Sequence, residues 1–203
     1  MKADSIAYVI AGICFGVILG WVIGTQQARR PGPVPTAQTS AAPGQSAGNP
    51  GQAPALDEGR VQALTTIIKS DPKNADAVVQ LGNTYFDAEH WDEAIQWYRR
   101  AIELDPKNAD ASTDLGVSLY YTNKADDALA QFEQSLRIDP KHTKTLLNKG
   151  IVLAFGKQDL KAASEEWKKV VTLAPDSPEG QAARRALEGV AAAHAGGGAT
   201  SNQ

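Results

Sequence analysis

The tetrapeptide Asp71-Pro72-Lys73-Asn74 returns as Asp105-Pro106-Lys107-Asn108 and then as Asp139-Pro140-Lys141-His142, at steps of 34 residues. A looser copy, Ala174-Pro175-Asp176, places its proline 35 residues after Pro140. A fixed period of this size constrains the fold strongly. Each period is a supersecondary unit that cannot bury its apolar face alone, so the units stack into a solenoid with capped ends. Within the first period Val78, Leu81, Gly82 and Tyr85 mark one helical face. Ala94, Ile95, Tyr98, Ala101 and Ile102 mark a second, and Pro106 ends the pair.

The first copy, ADAVVQLGNTYFDAEHWDEAIQWYRRAIELDPKN, resembles the tetratricopeptide repeat family. The small and large signature positions are met by Leu81, Gly82, Tyr85, Ala94, Tyr98, Ala101 and Pro106, with Val78 in place of the usual Trp. The second copy keeps Leu115, Gly116, Leu119, Ala128, Phe132, Ser135 and Pro140. The third keeps Leu146, Gly150, Leu153, Ala163, Trp167, Val170 and Pro175. It departs at Lys149, where Leu is expected, and by one extra residue assigned to the turn Phe155-Gly156-Lys157-Gln158-Asp159. The resemblance implies an all-α, right-handed superhelical solenoid of three helix pairs, at about 75–108, 109–142 and 143–176, with capping helices at 56–70 and 177–193. Gly82, Gly116 and Gly150 leave room for the second helix of each pair, while Tyr98, Phe132 and Trp167 fill the gaps to neighbouring repeats. The repeat domain spans 56–194, and 195–203 is expected to be a disordered tail.

The family's members are protein-binding scaffolds whose concave surface, lined by the first helix of each pair, holds peptides or helices. Carried over residue by residue, the groove positions are Asp76, Val79, Asn83, Phe86 and Asp87, then Asp110, Thr113, Val117, Tyr120 and Tyr121, then Lys144, Leu147, Ile151 and Phe155. Members that grip acidic C-terminal tails place Lys, Asn and Arg at several of these sites. Here those sites read Val79, Asn83, Thr113, Val117, Leu147 and Ile151, and only Asn83 fits, so that clamp is absent. The groove is expected to be mainly apolar and aromatic and to take a hydrophobic or amphipathic segment. Several of its residues, Phe155 and Ile151 above all, have a competing assignment as packing beneath the capping helix.

The remainder of the chain is of other kinds. Ile6–Gly24 is nineteen residues without a charge. A helix of that length, at ~1.5 Å per residue, comes close to spanning a bilayer core of roughly 30 Å. Residues 1–30 are therefore expected to be a transmembrane anchor with a basic flank. The run is longer than the ~7–15 apolar residues of a cleavable signal, and Thr25-Gln26-Gln27-Ala28-Arg29-Arg30 does not place small residues at both critical positions before a cut. Gly12, Gly16, Gly20 and Gly24 recur one turn apart. Close backbone approach is a main source of attraction between helices in lipid, so these glycines are a candidate helix-packing face and a route to a homo-oligomer. Lys2 on one side and Arg29 with Arg30 on the other leave the orientation undecided: the short N-terminal tail suits export of the C-terminal domain, and the two arginines argue for retaining it. Residues 31–55 hold six prolines, four glycines and no charged or aromatic residue, the composition of a disordered linker. At random-coil scaling its mean reach is about 25–30 Å.

Other chemistry finds little support. The net charge is −3, and Lys and Arg are interspersed with Asp and Glu, so no nucleic-acid partner is indicated. The sole cysteine, Cys14, lies in the apolar run, which leaves the repeats without a disulfide or a thiolate metal site. His90, His142 and His194 fall at a turn, a repeat boundary and the tail, without metal-ligand spacing. Asp126-Asp127 and Glu165-Glu166 are sequence neighbours that diverge on a helix. No catalytic residue, metal or cofactor is expected. The sequence is thus read as a membrane-anchored adaptor for a protein or peptide partner, similar to anchored bacterial members of the family, some of which serve envelope-protein assembly or cytochrome maturation. A self-associating spacer at the membrane is the alternative.

Overall fold

The recurring Asp-Pro-Lys-Asn motif is a device for starting helices. The computed structural model describes residues 54–198. The apolar run with its glycine face and the Pro/Gly segment up to residue 53 lie outside them, as do residues from 199 onward. Met1–Pro54 and Ala55–Gln203 are separate units, and the elements that follow belong to the second. Among the described residues there are eight helices and no strand: α1 (Glu58–Ser70), α2 (Ala75–Asp87), α3 (Trp91–Leu104), α4 (Ala109–Tyr121), α5 (Ala125–Ile138), α6 (Thr143–Ile151), α7 (Leu160–Leu173) and α8 (Pro178–Gly198). None of them is long and apolar enough to cross a membrane.

Each motif residue has a separate task. Asp71, Asp105 and Asp139 accept the backbone N–H two residues on, at 3.2, 3.1 and 2.9 Å, which bends the chain through the proline. Asn74 and Asn108 then cap α2 and α4 by accepting the N–H groups of Ala77 and Ala111 at 2.9 and 2.8 Å, contacts worth about 1 kcal/mol each. In the third copy His142 gives up this cap, and its Nδ1 lies 2.7 Å from the Thr145 hydroxyl instead.

Consecutive helices pack against one another along the chain, and α4 also meets α6, as α6 meets α8. One apolar cluster joins Leu64 and Ile68 of α1 to Val78, Leu81, Ala101 and Ala111. The next joins Tyr98, Leu115, Leu119, Phe132 and Val152. Within each pair a glycine meets a large ring. A Cβ at Gly82 would stand 2.8 Å from the Tyr98 ring, one at Gly116 would stand 2.5 Å from Phe132, and one at Gly150 would enter the Trp167 indole. Ala94, Ala128 and Ala163 are fully buried beside these contacts.

Two departures of the third repeat are resolved in unexpected ways. Glu89, Asn123 and Gln158 share a left-handed φ of 60°, 62° and 57°, each two residues before a helix begins. The third turn is therefore built like the other two, and the extra residue is not in it. It lies upstream, in a π-helical turn (Val152–Gly156) that prolongs α6. The turn-assigned insertion is thus corrected: the helix absorbs the added residue by widening, and the turn geometry is kept. Lys149 occupies the place held by the buried Leu81 and Leu115. Its side chain is only 15% exposed and is satisfied by Glu133 of α5 at 2.6 Å and Glu166 of α7 at 2.8 Å.

The C-terminal cap forms as the sequence implies. Ser177 accepts the Gly180 N–H at 3.0 Å, and Ala182 and Ala183 are buried. The helix extends to Gly198, beyond the boundary at which a tail was expected.

Candidate protein-binding groove

The first helices of the three pairs, α2, α4 and α6, carry the predicted groove residues, and the structure divides these into three groups. Val79, Asn83, Phe86, Val117, Tyr120, Tyr121, Ile151 and Phe155 are half-buried, and Asp87 is exposed. Thr113 and Leu147 are not accessible, at 0% and 9% exposure. Thr113 donates to the Ala109 carbonyl at 2.7 Å and lies within hydrogen-bond distance of Ser135 and Thr145, at 3.0 and 2.6 Å. Its expected place in the groove is corrected by this buried hydroxyl knot, which ties α4, α5 and α6 together. Leu147 is turned into the third pair, where its carbonyl accepts the Trp167 indole N–H at 3.2 Å.

The π-helical turn also changes the register of the third repeat. Counted back from the shared left-handed turn residues, Phe155 is equivalent to Phe86 and Tyr120, not to Asp87 and Tyr121. Each repeat therefore contributes one aromatic side chain at the same helical position. Gly156 then falls at the place of Tyr121, where a side chain would press on Tyr120 at 3.1 Å and on Ala125 at 3.2 Å.

At the junction of the first two repeats, Trp91, the first residue of α3, stacks on Tyr121 with ring centroids 4.2 Å apart and planes 10° from parallel. Phe86 meets the same indole edge-on at 4.9 Å. Trp91 was not foreseen as part of this surface, because a lone aromatic at a helix start carries no periodic signal. Tyr98, although it belongs to α3, donates its phenolic O–H to Asn83 Oδ1 at 2.7 Å. Asn83 is thereby held in place, and its remaining lone pair and amide N–H groups are directed by that bond.

Charge is unevenly placed. The helices α2 and α4 together contain Asp76, Asp87, Asp110 and Asp114, and no Lys or Arg. Lys144, at the start of α6, reaches across to Asp114 at 2.8 Å and to Asp110 at 3.7 Å, and His142 Nε2 lies 3.4 Å from Asp110. Burial pushes the Asp114 carboxyl above its usual range despite the Lys144 ammonium. Burial works against the charge on Lys144, but the two aspartates outweigh it and hold its pKa up. Asp110 is held low, chiefly by its hydrogen bond with His142. The Asp87 carboxyl is raised, first by partial desolvation and further by Asp114, with Arg60 opposing. Both carboxylates also raise the Tyr98 phenol, whose burial is the main cause. Asp114 was not foreseen among the site residues, although the absence of Lys and Arg from both helices was readable.

Among the described residues no group of His, Cys, Asp or Glu could hold a metal ion. Glu165 and Glu166 are taken up by lysines, and Asp126 by Lys157 at 2.7 Å.

Comparison with known proteins agrees with this geometry. A family profile described as TPR repeat matches residues 82–123, and one described as tetratricopeptide repeat matches 113–178. Residues 82–178 are therefore tetratricopeptide repeats. No curated protein matches the sequence. Similar solved structures include MamA, at 17% identity over 68% of this chain and 88% of that one, with a TM-score of 0.54. The first tetratricopeptide domain of Spaghetti (RPAP3), bound to the HSP90 peptide SRMEEVD, is 24% identical over 60% and 96%, with a TM-score of 0.52. The Arabidopsis OM64 domain is 20% identical over 56% and 93%, with a TM-score of 0.51. At these identities the likeness concerns the fold. That fold is typical of non-enzymatic scaffolds for protein–protein interaction.

Proposed function

We propose that the chain is a membrane-anchored adaptor that receives a hydrophobic or amphipathic segment of a partner protein along α2, α4 and α6. The observation that carries this reading is the partly exposed row of Val79, Phe86, Val117, Tyr120, Ile151 and Phe155 on successive first helices. A side chain that is only partly covered still has apolar area to give up, worth about 25 cal/mol for each Å² removed from water. Asn83, fixed by Tyr98, adds a polar group suited to a bound backbone. In the RPAP3 structure a domain of the same fold is bound to a peptide, which supports the mode of action without naming the partner here.

The anchoring part of the proposal rests on the uncharged run Ile6–Gly24 and the Pro/Gly-rich segment after it. It places the repeats near a bacterial inner membrane on the exported side, in envelope-protein assembly, with self-association through Gly12, Gly16, Gly20 and Gly24. The groove is tested by Phe86→Ala combined with Tyr120→Ala. Helical circular dichroism should be retained while capture of the partner by crosslinking in cells is lost, and undiminished capture would refute the assignment. The anchor is tested in the same cells by alkaline extraction of membranes and by protease access in spheroplasts. Release of the chain by alkali would remove the anchor from the account.

A further inference from the structure

We propose that the groove selects a partner segment carrying a cationic side chain beside its apolar ones, an inference that rests on the groove reading above and specifies it. Four aspartates and no Lys or Arg lie on α2 and α4, whereas the outer helices carry cations such as Arg99, Arg100 and Lys168. Lys144 is the one cation at a groove position, and it is already engaged by Asp114 and Asp110. Among the described residues Asp76 and Asp87 form no ion pair with any of the repeat domain's lysines or arginines. The inner face is therefore left with an excess of negative charge.

Asp87 is the most telling of the four. It is the last residue of α2, where a carboxylate opposes the negative end of the helix dipole. Partial burial raises its carboxyl, Arg60 of α1 opposes this, and the charge of Asp114 adds to the rise. Its charge is a liability for the isolated fold, and local rules are commonly broken in this way at functional sites. A guanidinium or ammonium group brought to Asp87 would meet an exposed carboxylate that has no ion-pair partner among the described residues, whereas Asp114 is already held by Lys144. The rings of Phe86 and Tyr121, joined by the Trp91 indole, stand next to it and suit both the cation and an adjoining apolar side chain. An acidic segment would instead meet repulsion from Asp76 and Asp87, which form no ion pair, with Arg60 of α1 as the cation that acts on Asp87. Charge complementarity of this kind sets specificity and encounter rate more than raw affinity.

The test is selection from a phage-displayed library of random twelve-residue peptides on the full chain in mild detergent. Recovered peptides should be enriched in Arg or Lys next to apolar residues, and their binding should weaken as salt is raised. Asp87→Asn should weaken them about tenfold. The same change should raise the melting temperature by about 1–2 °C, since it removes an unfavourable charge. Peptides that are neutral or acidic, or that bind Asp87→Asn as well as the parent, would overturn the cationic preference. The groove reading would survive that result if the same peptides fail on the Phe86→Ala/Tyr120→Ala variant. Recovery of nothing above the blank, or equal binding to the aromatic variant, would remove the groove and the preference together. Salt-sensitive self-association lost in Asp87→Asn would assign the groove to a second copy and overturn the partner inference.

Discussion

At the scale of single residues, the contact between a glycine and a ring decides whether a helix pair can close. Gly116 is in the middle of α4, where alanine would improve helix propensity by about 1 kcal/mol if space were free. Space is not free, because the added methyl would stand 2.5 Å from the buried Phe132 ring. Gly116→Ala should therefore destabilise the protein by about 1–3 kcal/mol, the usual cost of overpacking. Gly189 in α8 has nothing within 4 Å of a Cβ, so the same substitution there should stabilise by up to about 1 kcal/mol. Urea unfolding of the two variants checks both signs. Two changes of the same sign would show that propensity or packing alone governs these helices.

At the scale of elements, the third repeat shows how a helix pair tolerates a charge and an insertion. Lys149 links α5, α6 and α7 through Glu133 and Glu166, and Lys169 adds a second ammonium to Glu166 at 2.9 Å. Burial raises the Glu166 pKa, but the lysine hydrogen bonds outweigh it and leave it below its usual 4.5. Its contribution to stability is therefore complete above 4.5 and is lost as pH falls through the lowered value. Lys149 is held above its usual 10.5 by its two glutamates, against desolvation, so its contribution is complete below 10.5 and is lost as pH rises through the higher value. Lys149→Met should cost about 1–3 kcal/mol at pH 7 and should flatten the alkaline loss. Equal unfolding free energies for variant and parent at pH 7 would mean that the triad contributes nothing.

The sequence announced the helix pairs, the capping helices and the glycines that make room within each pair, because these follow local rules; it sent Tyr98, Phe132 and Trp167 to the gaps between repeats and did not foresee that each ring meets the glycine of its own pair. It did not announce the π-helical turn, since an added residue can enter a loop or a helix and only the shared backbone at Glu89, Asn123 and Gln158 decides between them. The shift of Phe155 to the place of Phe86 and Tyr120 follows from that choice. The burial of Thr113 was equally hidden, because it depends on hydroxyls from Ser135 and Thr145 that are distant in sequence and meet only when α5 and α6 pack.

At the scale of the whole molecule, stacked helix pairs present one row of unfinished apolar and aromatic surface, bordered by aspartates, on the helices that come first in each pair. Of the charges on the second helices, Glu133 and Glu166 are spent on Lys149 of α6, and Glu165 on Lys168. If the repeats are an adaptor, contact with a partner should be confined to the inner row. The most direct measurement is site-specific photocrosslinking in cells, with a benzophenone side chain placed at Val117 in one chain and at the exposed Gln134 of α5 in another. The account predicts a discrete adduct from Val117, absent from Gln134 and lost when Phe86 and Tyr120 are replaced by Ala. Adducts of equal yield from both positions, or none from Val117 in cells that contain the intact chain, would contradict it.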